Sequence, residues 1–262
     1  MRLTVVIPTY NEAENLPKLI SALFDLPIPE LKMLVVDDNS PDGTADLVRT
    51  IMAQFPERIN IIVRPEKLGL GTAYISGFQC ALRDGADAIA QMDADLSHPP
   101  EVLVELLDTL ASCDVAMGSR YVSGGSLDRD WPLWRKGLSA FGNLYARLIL
   151  RLPIKDATGG FRVWRRATLL GMPLNRVRSN GYAFQVEMAY IAYRLGFSFR
   201  EIPFYFGDRR WGTSKMSLDI QIEAARRVWE LLVEYRDLKP GEVPTRPAGG
   251  NSFLAGGKPT KT

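Results

Sequence analysis

The chain has 262 residues, 46% of them hydrophobic and 24% charged, enough to bury one sizeable core in a single domain with an appendage. A net charge of +2 gives no broad basic field and argues against nucleic acid as a partner. Two cysteines in apolar surroundings, Cys80 and Cys113, argue against a disulfide scaffold, and no run approaches the length of a membrane span or a signal peptide's apolar region.

Residues 3–7 are a β-branched run that predicts a strand ending at Pro8, and 13–24 carry apolar residues at helical spacing. A second buried strand is expected at 31–38 and a second helix at 43–55. A strand at 59–63, a helix over 70–82, a strand at 87–92, a helix at 100–110 and a strand at 114–119 follow. Strand and helix alternate, which predicts right-handed βαβ units and a mostly parallel sheet flanked by helices. Beyond Tyr121 the pattern changes. Residues 122–130 read as a flexible loop, 131–152 as a long amphipathic helix or helix pair, and 155–166 as a glycine-containing turn feeding a strand. A helix at 180–196, a strand at 198–206, a loop, and a helix at 217–236 complete the body. The Pro-, Gly-, Thr- and Lys-rich remainder, 237–262, is expected to be a disordered tail.

In parallel sheets ligands bind beyond the carboxyl ends of the strands. Here those ends read PTYNE, VDDNSPDGT, RPEKLGLGT, DADLSHPP and GSR, polar or charged in every case. In DADLSHPP, Asp93 and Asp95 are two residues apart, so an extended backbone would aim both the same way, a repulsive arrangement unless a cation or a rich donor set stands between them. The simpler alternative is a solvated loop with Ser97 capping a helix whose first turn holds Pro99 and Pro100.

Taken in order, VVIPTYNE, VVDDNSPDGT, DADLSHPP, GSRY, DATGGFRVWRR and RRWGTSK resemble the glycosyltransferases of family 2, and within them the dolichol-phosphate (polyprenol-phosphate) mannosyltransferases, over residues 1–236. The chain resembles the short form, which has no transmembrane helices after the catalytic domain. That resemblance implies the nucleotide-sugar-binding GT-A fold. It also implies inverting transfer of mannose from GDP-mannose to a polyprenyl or dolichyl monophosphate. A glucosyltransferase using UDP-glucose is the nearest alternative, and a nucleotidyltransferase a remoter one.

The resemblance places the nucleoside and sugar-diphosphate contacts at Pro8, Tyr10, Glu12, Val36, Asp38, Asp93, Ala94 and Asp95, with Arg209 and Lys215 over the diphosphate. It places a divalent cation, Mg²⁺ or Mn²⁺, on Asp95. Ser97 stands where the family usually has Gln, as a second ligand. Asp95, Arg120 and Arg135 are the implied catalytic residues, the two arginines on the acceptor phosphate. A phosphate acceptor also explains why no base is evident. It is already anionic at neutral pH, so the lone histidine, His98, reads as structural, and Asp156 is expected to orient arginine side chains or its loop. Asp37, Asp42 and Thr44 read as turn and helix-start chemistry.

The stripe of Trp131, Trp134, Leu138, Phe141, Leu144, Tyr145, Leu148 and Leu152, edged by Arg135, Lys136, Arg147 and Arg151, has two readings. It either faces the core or lies on a membrane surface. The expected location is cytoplasmic, peripheral on the cytoplasmic face of a membrane or held there by a membrane-anchored partner.

Overall fold

Leu3–Thr9 (β1) sends Leu3, Val5 and Ile7 into one apolar cluster and Val6 into another, as the two-residue period of a strand requires. Both faces are covered, so the strand reads as an unbroken apolar run. The computed structural model describes residues 1–207 and 218–241, with 218–222 as backbone alone. It continues with α1 (Leu16–Phe24), β2 (Leu31–Asp37), α2 (Thr44–Met52), β3 (Ile59–Val63), α3 (Leu70–Arg83), β4 (Ala88–Gln91), α4 (Val102–Thr109) and β5 (Val115–Ser119). Next come β6 (Ser126–Leu127), α5 (Leu133–Leu150), β7 (Arg162–Arg165), α6 (Arg166–Gly171), α7 (Gly181–Arg194), β8 (Phe199–Pro203), β9 (Tyr205–Phe206) and α8 (Leu218–Glu234).

The main sheet has seven strands in the order β3-β2-β1-β4-β7-β5-β8. All pairs are parallel except those of β7, which runs antiparallel between β4 and β5. Helices α1, α2 and α4 cover one face; α3, α5, α7 and α8 cover the other. This is the mostly parallel α/β sheet expected from the alternation. Reversing β7 matters for the site: its start, like the ends of its antiparallel neighbours β4 and β5, lies at the sheet's carboxyl edge. Pro8 fits inside a central strand because the β4 pairing stops at Val6, leaving Pro8 only Val36 of β2 opposite it.

Four expectations change. Helix α1 starts at Leu16 rather than residue 13, because the N–H groups of Asn11, Glu12 and Ala13 bond to Ser40, Thr44 and Asp42 across the next loop. The strand expected at 198–206 is two strands. β5 stops at Ser119 opposite Pro203, and the chain then pairs with β6, which sits inside the segment expected to be a plain loop. Ser97 caps no helix, since α4 begins only at Val102, after Glu101. The packed body runs past residue 236: Leu238 is buried and the Gly241 N–H donates to the Leu195 carbonyl at 3.2 Å. The rest of the tail, 242–262, lies outside the described residues.

The apolar stripe of α5 does not face the core as a whole. Its inner seam is narrow: Asn143, Ala146 and Leu150, with Trp131 and Leu152 buried at either end. Trp134 (71% exposed), Phe141, Leu144 and Leu148 (68%) point outward. Trp229 and Val233 of the neighbouring α8 are exposed as well. Below them a fully buried carboxylate, Glu187 of α7, takes hydrogen bonds from the Ser179 N–H, the Arg227 guanidinium and the Tyr235 hydroxyl, fastening α8 to the body. Among the described residues no helix is long and apolar enough to cross a membrane.

Candidate functional site

The loops after β1 and β2 are stitched together by short polar contacts. Buried Asp37 accepts from the Thr9 hydroxyl at 2.8 Å and from the Ser40 N–H and hydroxyl at 2.9 and 2.6 Å. Asp42 accepts from the Thr44 hydroxyl and N–H as α2 begins; these bonds outweigh burial and hold its pKa below the ordinary value. Both read correctly as loop and helix-start chemistry. Glu12 takes a 2.7 Å bond from the Asn15 amide. Tyr10 is half-buried with the Lys67 ammonium 3.6 Å from its ring centre. Val36 is fully buried in the core, so a ligand would meet only its backbone.

Asp38 has a partner that sequence reasoning missed. Its carboxylate pairs with Arg64 at the end of β3 and accepts from the Gly69 N–H at 3.0 Å, and both Asp38 and Arg64 are buried. Arg64 also donates to the Thr72 hydroxyl and the Gly69 carbonyl. Arg64's place at a strand end was the available signal. The glycines of KLGLGT act by close approach: Gly69 has φ of 94° and aims its N–H at Asp38, while a Cβ on Gly71 would lie 2.3 Å from the Ser179 carbonyl.

The two aspartates of DADLSH are not aligned along an extended strand. β4 ends at Gln91, and Ala94 (buried) and Asp95 lie in a turn that carries Leu96 at φ of 61°. Asp93 receives the Tyr74 hydroxyl of α3 at 3.2 Å. Burial and the Asp93 charge push the Tyr74 phenol well up, so it stays a donor. Asp95, buried, accepts from the Ser97 N–H at 3.1 Å and its hydroxyl at 2.5 Å. His98 is buried with its ring stacked on Phe161, centres 4.8 Å apart, and its Nδ1 accepts from the Asp93 N–H. Burial holds its pKa down despite Asp93 and Asp95, leaving it neutral and structural, as expected.

The donors gathered here are two carboxylates and a hydroxyl, all hard oxygens, which suit a divalent cation that keeps water and phosphate oxygens in its shell. Among the described residues no three His, Cys, Asp or Glu side chains form a ready-made metal cluster, so such an ion would need the substrate to complete its shell.

On the far side of β4 lies a cationic centre. Asp156 is fully buried and takes the Arg120 guanidinium in a two-pronged pair, Nε at 2.8 Å and Nη2 at 2.7 Å, plus the Arg120 N–H at 3.0 Å. Thr158 accepts from the same Nη2 at 2.9 Å. Burial alone would lower the arginine's pKa and raise the aspartate's, but their mutual charge and bonding win in both, so the pair is ionised. The expected orienting role of Asp156 is what the geometry contains.

Arg120 also stands over the Phe206 ring at 5.3 Å, Phe206 meets Trp131 edge-on at 5.7 Å, and Arg135 covers Trp131 at 3.6 Å. One aromatic pair thus links the two arginines that the sequence named. Arg209 and Lys215 lie outside the described residues.

Comparison with known proteins bears on the family and the fold. Residues 4–170 match the family model "Glycosyl transferase family 2". The polyprenol monophosphomannose synthase of Mycolicibacterium smegmatis is 45% identical over 217 residues, 82% of this chain and 81% of that protein. The undecaprenyl-phosphate mannosyltransferase of Micrococcus luteus is 44% identical over 241 residues, 91% of this chain and 98% of its own. Among solved structures, glucosyl-3-phosphoglycerate synthase from Mycobacterium tuberculosis, in complex with Mn²⁺, uridine diphosphate and phosphoglyceric acid, superposes with a TM-score of 0.63 at 18% identity, covering 92% of this chain and 80% of that one. At that identity the likeness speaks for the fold alone.

Proposed function

The chain belongs to glycosyl transferase family 2, and from that membership we propose that it moves mannose from GDP-mannose to a polyprenyl monophosphate, with inversion, giving polyprenyl-phosphate β-mannose and GDP. The observation that carries the reading is how the titratable groups near Arg120 are occupied. Asp156 is locked on Arg120, and His98 is neutral, stacked and already accepting at Nδ1. Neither is free to take a proton, and a phosphate acceptor needs neither. Its second pKa is about 6, so at neutral pH an anionic oxygen can attack the anomeric carbon directly.

In this reading Pro8, Tyr10, Glu12 and Asp38 hold the nucleoside, with Arg64 fixing the Asp38 carboxylate. Asp95, with Ser97 and Asp93 beside it, would hold Mg²⁺ or Mn²⁺, which when bound stabilises the leaving diphosphate as a Lewis acid. Arg209 and Lys215 cover that diphosphate. Arg120 and Arg135 draw the acceptor phosphate to the opposite face of the sugar; its oxygen bonds to C1 as the C1–diphosphate bond breaks and the electron pair leaves with GDP. The outward apolar face of α5 rests on the membrane holding the lipid, or on a membrane-anchored partner, and the side proposed is the cytoplasmic one.

The test is transfer of radiolabel from GDP-mannose to polyprenyl phosphate, with and without Mn²⁺, alongside UDP-glucose. A metal-dependent, lipid-extractable mannosyl product is expected. Label moving only from UDP-glucose, or into no lipid, would overturn the reading.

A further inference from the structure

The loop that carries Asp156 is held from two sides by side chains outside the reaction. Asn143 is a buried amide on the inner seam of α5, where its neighbours are Ala146 and Leu150. Its Nδ2 donates to the Lys155 carbonyl at 2.6 Å, and its Oδ1 accepts from the Ala157 N–H at 2.9 Å. From β8, Glu201 accepts from the Lys155 N–H at 2.7 Å and the Asp156 N–H at 2.9 Å. Arg162 then takes the Ala157 carbonyl at 2.9 Å. Both backbone groups of Lys155 and of Ala157, and the N–H of Asp156, are thereby fixed.

A buried amide in a helix seam is costly unless bonded, and asparagine is a poor helix former; both costs are met here only by this loop. The result is that Asp156 cannot swing, and through its two-pronged bond neither can Arg120.

We infer that Asn143 and Glu201 are positioning residues for the acceptor: they clamp residues 155–157 so that Asp156 presents Arg120 to the acceptor phosphate. The inference rests on the proposed reading that Arg120 meets that phosphate. It adds that α5, whose outer face is apolar, is tied through Asn143 to the reacting centre.

The test uses the full chain with Asn143→Ala, Glu201→Gln, Arg120→Ala and the two double variants that include Arg120→Ala. It measures kcat and KM for polyprenyl monophosphate in detergent, Kd for GDP-mannose by calorimetry, and melting temperature. A small misplacement of a binding group costs on the order of tenfold to a hundredfold, so kcat/KM for the acceptor should fall by that much in each positioning variant, with donor Kd unchanged. In the Arg120→Ala background the same substitutions should cost little more, because their effect runs through that guanidinium.

Should Asn143→Ala fail to fold, Glu201→Gln reaches the same loop from the other side and decides the matter. Folded variants with wild-type acceptor kinetics, or losses that add in full to that of Arg120→Ala, would overturn the inference while leaving the proposed function standing. An Arg120→Ala protein with wild-type acceptor kinetics would overturn the inference together with the placing of the acceptor phosphate on Arg120, while the transfer reaction itself would stand.

Discussion

In the donor half of the site Asp42 and Asp95 take hydrogen bonds from hydroxyls two residues further on, whereas in the acceptor half Asp156 takes them from Arg120, 36 residues away. The donor half is a row of strand-end loops in which some carboxylates are met within their own loop, Asp42 by Thr44 and Asp95 by Ser97, and others across loops, Asp37 by Thr9 and Asp38 by Arg64. The acceptor half is pieced together from β5, α5, β7 and β8, and its polar groups complete one another only when all four are in place. The contrast implies two kinds of fragility. A change at a locally met carboxylate such as Asp95 should remove one function locally, while a change in the acceptor half should loosen both fold and site.

The sharpest test of that contrast is Asp95→Ala, which should abolish metal-dependent transfer and leave the melting temperature nearly as it was. Substantial activity at limiting Mn²⁺ would remove Asp95 from the metal site; unfolding would show that the donor half is not so modular. Next in size is Asp156→Asn. Removing one partner of a buried pair leaves the other charge uncompensated and typically costs about 3–5 kcal/mol, so this variant should lose both stability and transfer, read by denaturant unfolding and by product formation.

The same pair gives a pH signature. The Asp156 carboxyl titrates below its ordinary value because Arg120 outweighs burial, so its stabilisation is complete above the unfolded-state value of about 4 and is lost as pH falls through the lower folded value. Wild-type melting should therefore drop steeply in acid below about pH 4, and Asp156→Asn should lack that part of the drop. The smallest effect is expected on the rim. Leu148→Ser on the exposed face of α5 should weaken sedimentation with anionic vesicles by a factor of about five to ten and leave turnover of a detergent-dispersed acceptor unchanged.

The distance between partners also governs how much could be read from the sequence. The strand ends and helix starts were legible because their signals are local. A β-branched run, a polar strand end, and an Asp two residues before Thr44 each announce themselves within a few positions. Arg64, Tyr74 and Phe206 were missed because their partners are 26, 19 and 86 residues away, respectively Asp38, Asp93 and Arg120, and nothing in their own segments points there. Arg120 and Asp156 were named, one as a phosphate ligand and the other as an orienting residue, yet only the folded chain shows them as one unit. The α5 stripe left two readings open because its spacing gives amphipathicity without saying which face is inside. Small Ala146 and bonded Asn143 form the inner seam, and the large apolar side chains are turned out.

The reversed strand β7 also sets a timetable for the chain's first moments. During synthesis β1 to β4 can associate as they emerge, but the slot between β4 and β5 stays open until residues 162–165 arrive, after the whole of α5 has been made. Until then two strand edges with unpaired N–H and C=O groups face each other across a gap, the kind of surface that pairs with other chains. A nascent chain halted within α5 should thus be more prone to aggregate than one halted beyond Pro203, where β8 has joined β5 as well. The strand that delivers the Asp156 loop to the reacting centre is also the one that closes the sheet.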